Sequence, residues 1–175
     1  MPRFSIVNDF SEWCSFSSTR SGSPLKSRED VYPLIRLPDY DFVLYGEKIT
    51  EEEFDKWHKI QAKEISNNRP EMPIGWSVKL INVYLKSMAY VGEYGREGLR
   101  NVLHPPIDTG LWSGIERYCK AANLDSILMK THTVQRIKEI DTYEKYETII
   151  NGCRDLSKFL NCSLIEVEQL WEGTF

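Results

Sequence analysis

The stretch "GWSVKLINVYLKSMAYVG", residues 75–92, decides the fold of this chain. It is apolar on nearly every side, yet it contains two lysines, Lys79 and Lys86, and one asparagine, Asn82. A helix that is apolar all round belongs in the interior of a protein, because no side of it gains from contact with water. We therefore expect a central buried helix here, and we ask what Lys79 does in it.

A second helix is predicted just before this stretch. Thr50-x-x-Glu53 forms a capping box, and Phe54, Trp57 and Ile65 follow at helical spacing with charged residues on the other faces. This pattern predicts a helix over residues 51–66. The segment "NNRPEMP", residues 67–73, then forms a hairpin-like turn into the central helix.

Helical signals also continue after Gly92. A short helix and a loop are expected before Asp108, which can cap a helix that Asn123 ends. Two further capping boxes are expected to open two more helices, the patterns Asp141-x-x-Glu144 and Ser163-x-x-Glu166.

The beginning of the chain is less regular. Residues 1–30 are rich in serine, and Pro33 and Pro38 interrupt the segment that follows. No alternating strand pattern and no internal repeat is visible. We expect an all-α, single-domain helical bundle over residues 1–175, with an irregular N-terminal arm at 1–49 and a helical core at 50–175.

Composition limits the classes of function. The 175 residues carry a net charge of −4, so any DNA partner needs a local basic surface. The four cysteines are scattered without a CxxC pair, which argues against a metal site. We expect no signal peptide and no membrane span, because the most apolar stretch is interrupted by charges, and we expect a cytoplasmic protein.

Three interpretations of Lys79 are open from its position alone. Its ammonium group can reach water from the edge of the helix, while its stem covers apolar surface. It can pair with a buried carboxylate as a structural ion pair. It can also be a desolvated amine with a lowered pKa, which makes it a nucleophile able to form a Schiff base.

The segment "GWSVKLINVYL" resembles the helix-hairpin-helix DNA glycosylase superfamily. There the pattern Gly-x-Gly-x-Lys-x-x-Asn-x-x-Leu closes the hairpin and carries the catalytic lysine, and Gly75, Lys79, Asn82 and Leu85 fall in register, with Ser77 in place of the second glycine. The later "HPPIDTGLWSGI" resembles the context of the catalytic aspartate, and the two segments are most similar to the archaeal 8-oxoguanine glycosylase branch. The resemblance covers residues 50–120.

This resemblance implies excision of a damaged or modified DNA base, with lyase activity as a further possibility. Lys79 would attack the sugar carbon of a base turned out of the stack and form an imine, and Asp108 would assist it. Asp108 has a simpler interpretation as a helix cap that contributes about 1 kcal/mol. The resemblance implies no metal and no organic cofactor, and it implies DNA as the partner.

The expected DNA or substrate contacts come from the same region. Its five basic residues between 69 and 104 outnumber the three acidic ones, which favours phosphate contacts but is also common on ordinary surfaces. Trp76 and Trp112 are the aromatic candidates for contact with a base, although aromatic residues on helices more often belong to the core. The predicted contacts are Gly75, Trp76, Ser77, Asn82, Lys86, Arg96, Arg100, His104 and Trp112.

Two other functions compete with this one. Arg100-x-x-x-His104 is similar to the arginine and histidine of HEPN-type helical ribonucleases, in which histidine acts as acid or base and arginine binds phosphate. The chain can also be a binding module for nucleic acid or protein that has the fold without the chemistry.

Overall fold

A computed structural model describes residues 2–19 and 22–172, and within those ranges it contains helices and connecting segments but no strand. The all-α, single-domain fold is confirmed. None of the described helices is long and apolar enough to cross a membrane. The α-helices are α1 (Pro2–Ser17), α2 (Arg28–Ile35), α3 (Asp41–Leu44), α4 (Glu51–Asn68), α5 (Ile74–Leu85), α6 (Leu99–Val102), α7 (Thr109–Ala122), α8 (Asp125–Thr131) and α9 (Tyr143–Leu160).

The central helix is α5, as the opening stretch predicts. Every residue from Ile74 to Leu85 is buried except Val83, which is partly buried. The chain continues from α5 into a π-helical segment, Lys86–Val91. Helices α1, α2, α4 and α9 all contact α5, so its side chains are surrounded by other parts of the chain.

Helix α4 matches its prediction closely. Thr50 accepts a hydrogen bond from the Glu53 amide while the Glu53 side chain accepts one from the Thr50 amide, so the capping box is present. The helix extends to Asn68, and residues 69–73 form the turn into α5.

The prediction of an irregular N-terminal arm is wrong. Residues 2–17 form α1, whose serines fit a helix because their hydroxyls donate to backbone carbonyls. Ser11 donates to Val7 within α1, and buried Ser15 donates to the Leu80 carbonyl of α5 at 2.8 Å. Pro33 lies inside α2, where Ser27 caps the helix, so this part of the expected irregular arm is helical as well.

The second half follows the predicted order with shifts in detail. Asp108 caps α7, and Asn123 ends it in the left-handed conformation, as expected. Helix α9 is capped by Thr142 rather than Asp141, which instead pairs with Lys145. The Ser163-x-x-Glu166 pattern opens a 3-10 helix, Ile165–Leu170, instead of an α-helix. A second 3-10 turn covers Ile137–Glu139.

Candidate active site around Lys79 and Asp108

Lys79 points from the centre of α5 towards Asp108. Its side chain is only 11% exposed, and its Nζ lies 3.8 Å from Asp108 Oδ2, which is longer than a hydrogen bond. The same Nζ lies 5.6 Å from the centre of the Trp76 ring. Burial lowers the pKa of Lys79, and the Asp108 carboxylate opposes that shift in part. Lys79 is therefore a largely buried residue whose side chain lines a cavity beside a carboxylate.

The two oxygens of Asp108 have different surroundings. Oδ1 accepts hydrogen bonds from the Leu111 amide and from Trp171 Nε1, each at 3.0 Å. Oδ2 faces Lys79. Asp108 is thus a helix cap and, at the same time, a carboxylate held in a fixed orientation beside a buried amine.

Trp171 is a site residue that the sequence did not reveal, because it lies 63 residues from Asp108 along the chain. It reaches Asp108 because residues 170–172 pack very closely against α7 at two glycines. A Cβ at Gly110 would lie 2.4 Å from Trp171 Nε1, and a Cβ at Gly114 would lie 1.7 Å from the Leu170 carbonyl oxygen. The spacing Gly110-x-x-x-Gly114 was the available signal, because it puts two glycines on one face of a helix.

A cavity of about 550 Å³ opens on one side of the Lys79–Asp108 pair. Its wall includes the rings of Trp76 and Trp171, and Arg136 and Lys138 also line it. Trp76 is 4% exposed, and within the described ranges its indole N–H has no hydrogen-bond partner. That nitrogen is itself shielded from solvent, so Trp76 lines the cavity with another part of its side chain.

A second cavity of about 480 Å³ lies on the other side of the same pair. Lys79, Asp108 and Trp171 line both cavities and so form the partition between them. Lys86 and Glu168 line only the second cavity of the two, and their charged groups lie 2.7 Å apart. Lys86 therefore belongs to the site, although a carboxylate already engages it.

The predicted roles of Gly75 and Ser77 as DNA contacts are wrong. The Gly75 amide donates to the Ile140 carbonyl at 2.9 Å, and a Cβ at Gly75 would lie 2.1 Å from the Ile137 carbonyl oxygen. The Ser77 hydroxyl is buried and donates to the Met72 carbonyl. Tight packing inside the protein requires the glycine, and its amide is not open to a phosphate.

Trp112 and Asn82 are also core residues rather than contacts with a ligand. Trp112 is 4% exposed, and its indole N–H donates to the Thr131 carbonyl at 2.8 Å. Asn82 is 2% exposed, and its amide nitrogen donates to the Pro105 carbonyl and the Tyr146 hydroxyl. Asn82 thereby ties α5 to the segment that leads to Asp108.

His104 is buried in the same polar network and does not face solvent. Its ring nitrogens contact the Tyr146 hydroxyl at 3.0 Å and Asp55 Oδ1 at 2.9 Å. His58 contacts the Asn82 side-chain oxygen and the Tyr143 hydroxyl, each at 2.8 Å. Burial lowers the pKa of both histidines, although their contacts with Asn82 and Asp55 oppose the shift.

The two arginines among the predicted contacts, Arg96 and Arg100, do not line either of the two cavities beside Lys79. Arg96 binds the carbonyl oxygens of Phe42, Glu47 and Lys48, which fixes a loop. Arg100 pairs with Glu93 at 3.4 Å on the surface. Because His104 is 3% exposed and has both nitrogens engaged, Arg100 and His104 do not form the exposed pair that a helical ribonuclease needs.

Within residues 2–19 and 22–172, no cluster of three or more histidine, cysteine, aspartate or glutamate side chains could hold a metal ion. No protein-family model, curated protein or solved structure matches this chain. The chemistry of the site therefore has to be argued from its own residues.

Proposed function

We propose that this protein is a DNA glycosylase with lyase activity that uses Lys79 as its nucleophile and Asp108 as its acidic partner. The observation that carries the proposal is the Lys79 amine, buried and 3.8 Å from Asp108 Oδ2, beside a cavity with aromatic and basic walls. A desolvated amine with a lowered pKa is a better nucleophile at neutral pH than a solvated one.

The reaction needs a neutral amine and a nearby negative charge. Lys79 Nζ would attack the sugar carbon C1′, and the bond from C1′ to the base would break with its electron pair leaving on the base. Asp108 Oδ2 would stabilise the positive charge that develops on the sugar and accept the proton lost by the attacking amine. The C1′–O4′ bond would then break, O4′ would take the proton held by Asp108, and the nitrogen lone pair would form a protonated imine between Lys79 and C1′.

The surrounding residues fit an extruded base. Trp171, whose side chain is half exposed, offers an aromatic face for stacking, and Trp76 lines the same cavity. Lys138 supplies positive charge at the same cavity, where a DNA backbone would pass, and Arg136 lies there paired with Glu139. These two residues take the place of the hairpin amides, which are engaged inside the protein.

The competing interpretation is a structural ion pair in a binding module. A buried ion pair contributes little net stability, and it does so only when its geometry is close and its remaining hydrogen bonds are satisfied. The Lys79–Asp108 contact at 3.8 Å is loose, while the Lys86–Glu168 contact is 2.7 Å. Of the two lysines on this part of the chain, Lys79 is the less tightly paired.

Borohydride trapping on a duplex with a single abasic site tests the proposal directly. An amine and the sugar aldehyde form an imine with loss of water, and borohydride reduces that imine to a stable covalent adduct. We expect the wild-type protein to form an adduct and Lys79→Ala to form none. Asp108→Asn should form the adduct more slowly by about 100-fold, which is a common effect of removing one acid–base group.

Lys120→Ala is the matched control, because Lys120 is an exposed lysine of α7 paired with Glu116. Its adduct should equal that of the wild type. An adduct that persists in Lys79→Ala would reassign the nucleophile. The absence of any wild-type adduct at saturating protein would reject the Schiff-base mechanism and leave the binding module.

A further inference from the structure

The second cavity beside Lys79 contains a lysine–carboxylate pair of its own. Both oxygens of Glu168 lie within 2.8 Å of Lys86 Nζ. The Glu168 side chain is 17% exposed and that of Lys86 is 38% exposed, so both charged groups are accessible from the cavity. Lys86 follows Lys79 by seven residues, which is about two helical turns along the same side of the chain.

Glu168 is also tied to Asp108 through its own helix. In a 3-10 helix, residues three apart eclipse each other, so Glu168 lies one turn before Trp171 on the same side. Trp171 donates to Asp108 Oδ1, and Asp108 contributes to the electrostatic field at Glu168. Burial raises the pKa of Glu168 although Lys86 opposes the shift, which makes this carboxylate a stronger base than an exposed one.

We propose that Glu168 and Lys86 carry out the elimination step that follows imine formation at Lys79. Glu168 accepts the proton from the sugar carbon C2′, and Lys86 neutralises the 3′ phosphate that leaves. This inference rests on the proposed function, because it needs the imine as its substrate.

The step balances without any further reactant. The C2′–H bond breaks and its proton passes to a Glu168 oxygen, while its electron pair forms the new C2′=C3′ double bond. The C3′–O bond breaks, and the phosphate leaves with the two electrons of that C3′–O bond. An incoming 3′ phosphate competes with the Glu168 carboxylate for Lys86, and this frees Glu168 to accept the proton.

The location of the second cavity supports this division of labour. Lys79 and Asp108 line both cavities, so the imine carbon would lie at their junction. The first cavity has the aromatic walls that suit a base, whereas the second has an acid–base pair beside the partition. A base in one cavity and the sugar–phosphate in the other would put C2′ and the 3′ oxygen next to Glu168 and Lys86.

The test separates imine formation from strand cleavage on the same abasic-site duplex. Adduct is measured with borohydride, and cleavage is measured without it. We expect Glu168→Gln to form adduct within about twofold of the wild type while cleavage falls by about 100-fold, the lower range of what a positioned acid–base group contributes. Lys86→Met should show the same separation, and Glu168→Asp should recover part of the cleavage.

Glu166→Gln is the matched control, because Glu166 lies two residues away, contacts the Tyr90 hydroxyl and does not line the cavity. It should retain both adduct and cleavage. Normal cleavage by Glu168→Gln with normal adduct would overturn the inference and leave the proposed function intact. Equal loss of adduct and cleavage in Glu168→Gln and Glu168→Asp would also overturn it, because that result would show that Glu168 has only a structural role. A wild type without any adduct would reject both proposals.

Discussion

At the scale of single residues, the site depends on which polar atoms have partners. Trp76 and Trp112 are equally buried tryptophans, yet the Trp112 indole N–H donates to the Thr131 carbonyl and that of Trp76 has no partner within the described ranges. Sequence spacing could not separate them, because both lie on helices close to a predicted catalytic residue. A buried donor without a partner costs free energy, whereas a satisfied one stabilises the core.

Replacing each tryptophan by phenylalanine separates these two roles. Trp112→Phe leaves the Thr131 carbonyl without its donor, so the free energy of unfolding should fall by about 1–3 kcal/mol. Trp76→Phe loses no hydrogen bond within the described ranges, so its stability should fall less, while excision of a base should slow because Trp76 lines the cavity. Denaturant unfolding and a base-excision assay measure the two effects. An equal loss of stability in both variants, with unchanged excision in Trp76→Phe, would contradict the assignment.

The electrostatics of Lys79 also predict a pH dependence. Burial lowers the pKa of Lys79 from its usual 10.5, and Asp108 raises it in part. Because only the neutral amine reacts, adduct formation should rise with pH and level off at a pH below 10.5, the usual pKa of lysine. In Asp108→Asn the opposing charge is absent, so the profile should shift to lower pH while its plateau falls. The rate of trapping against pH measures both, and an unshifted profile would show that Asp108 does not act on the amine.

At the scale of elements, the closest packing in the site is between α7 and the segment that carries Trp171. Gly110 and Gly114 let the backbone of residues 170–172 lie directly against the helix, and the Glu172 amide donates to the Gly110 carbonyl at 3.2 Å. This contact decides where Trp171 lies and therefore how Asp108 is oriented. The same principle explains Gly75, where the turn Ile137–Glu139 leaves no room for a side chain.

A single methyl group at Gly114 tests this arrangement. Gly114→Ala would put its Cβ on the Leu170 carbonyl oxygen, so the segment that carries Trp171 must move away from α7. We expect unfolding to become easier by about 1–3 kcal/mol, which is typical of overpacking, and adduct formation to slow as Asp108 loses Trp171. Ser113→Ala, at the exposed neighbouring position, should leave both quantities close to those of the wild type. Wild-type stability in Gly114→Ala would show that the contact is less tight than described.

At the scale of the whole molecule, a polar network crosses the core. Asn82 Nδ2 donates to Tyr146, whose hydroxyl can then donate to His104, and His104 to Asp55. Asp55 in turn binds Arg154 of α9 at 2.6 Å. The network joins α4, α5, α9 and the segment before Asp108, so it holds the helix of Lys79 against the loop of its partner.

Stability should depend on pH because the network needs neutral histidines. Burial lowers the pKa of His58 and His104 from the usual 6.5, so the unfolded chain binds more protons than the folded chain just below that value. The free energy of unfolding should therefore decrease as the pH falls from about 7 to about 5 and stay level above about 7.5. Denaturant unfolding at a series of pH values measures this. A flat profile between about pH 7 and about pH 5 would contradict the neutral state of the network.

The sequence by itself determined that the protein is helical, that the first part of the stretch 75–92, up to Leu85, is its buried centre, and that Asp108 caps a helix. These follow from local signals, because helix caps and apolar periodicity act over a few residues. The sequence also singled out Lys79, because burial of a charged side chain inside an apolar helix costs free energy and so indicates a partner or a function.

Only the tertiary structure decided which residues surround that lysine. Some residues reach the two cavities from distant parts of the chain, namely Trp171, Arg136, Lys138 and Glu168. Others lie close to Lys79 or Asp108 in sequence but are buried in the core, namely Gly75, Ser77, Asn82, His104 and Trp112. The N-terminal serines likewise became helical because α5 offers backbone carbonyls and apolar surface to α1. The physical reason is that a site is an arrangement of side chains in space, and the packing of helices against one another sets that arrangement.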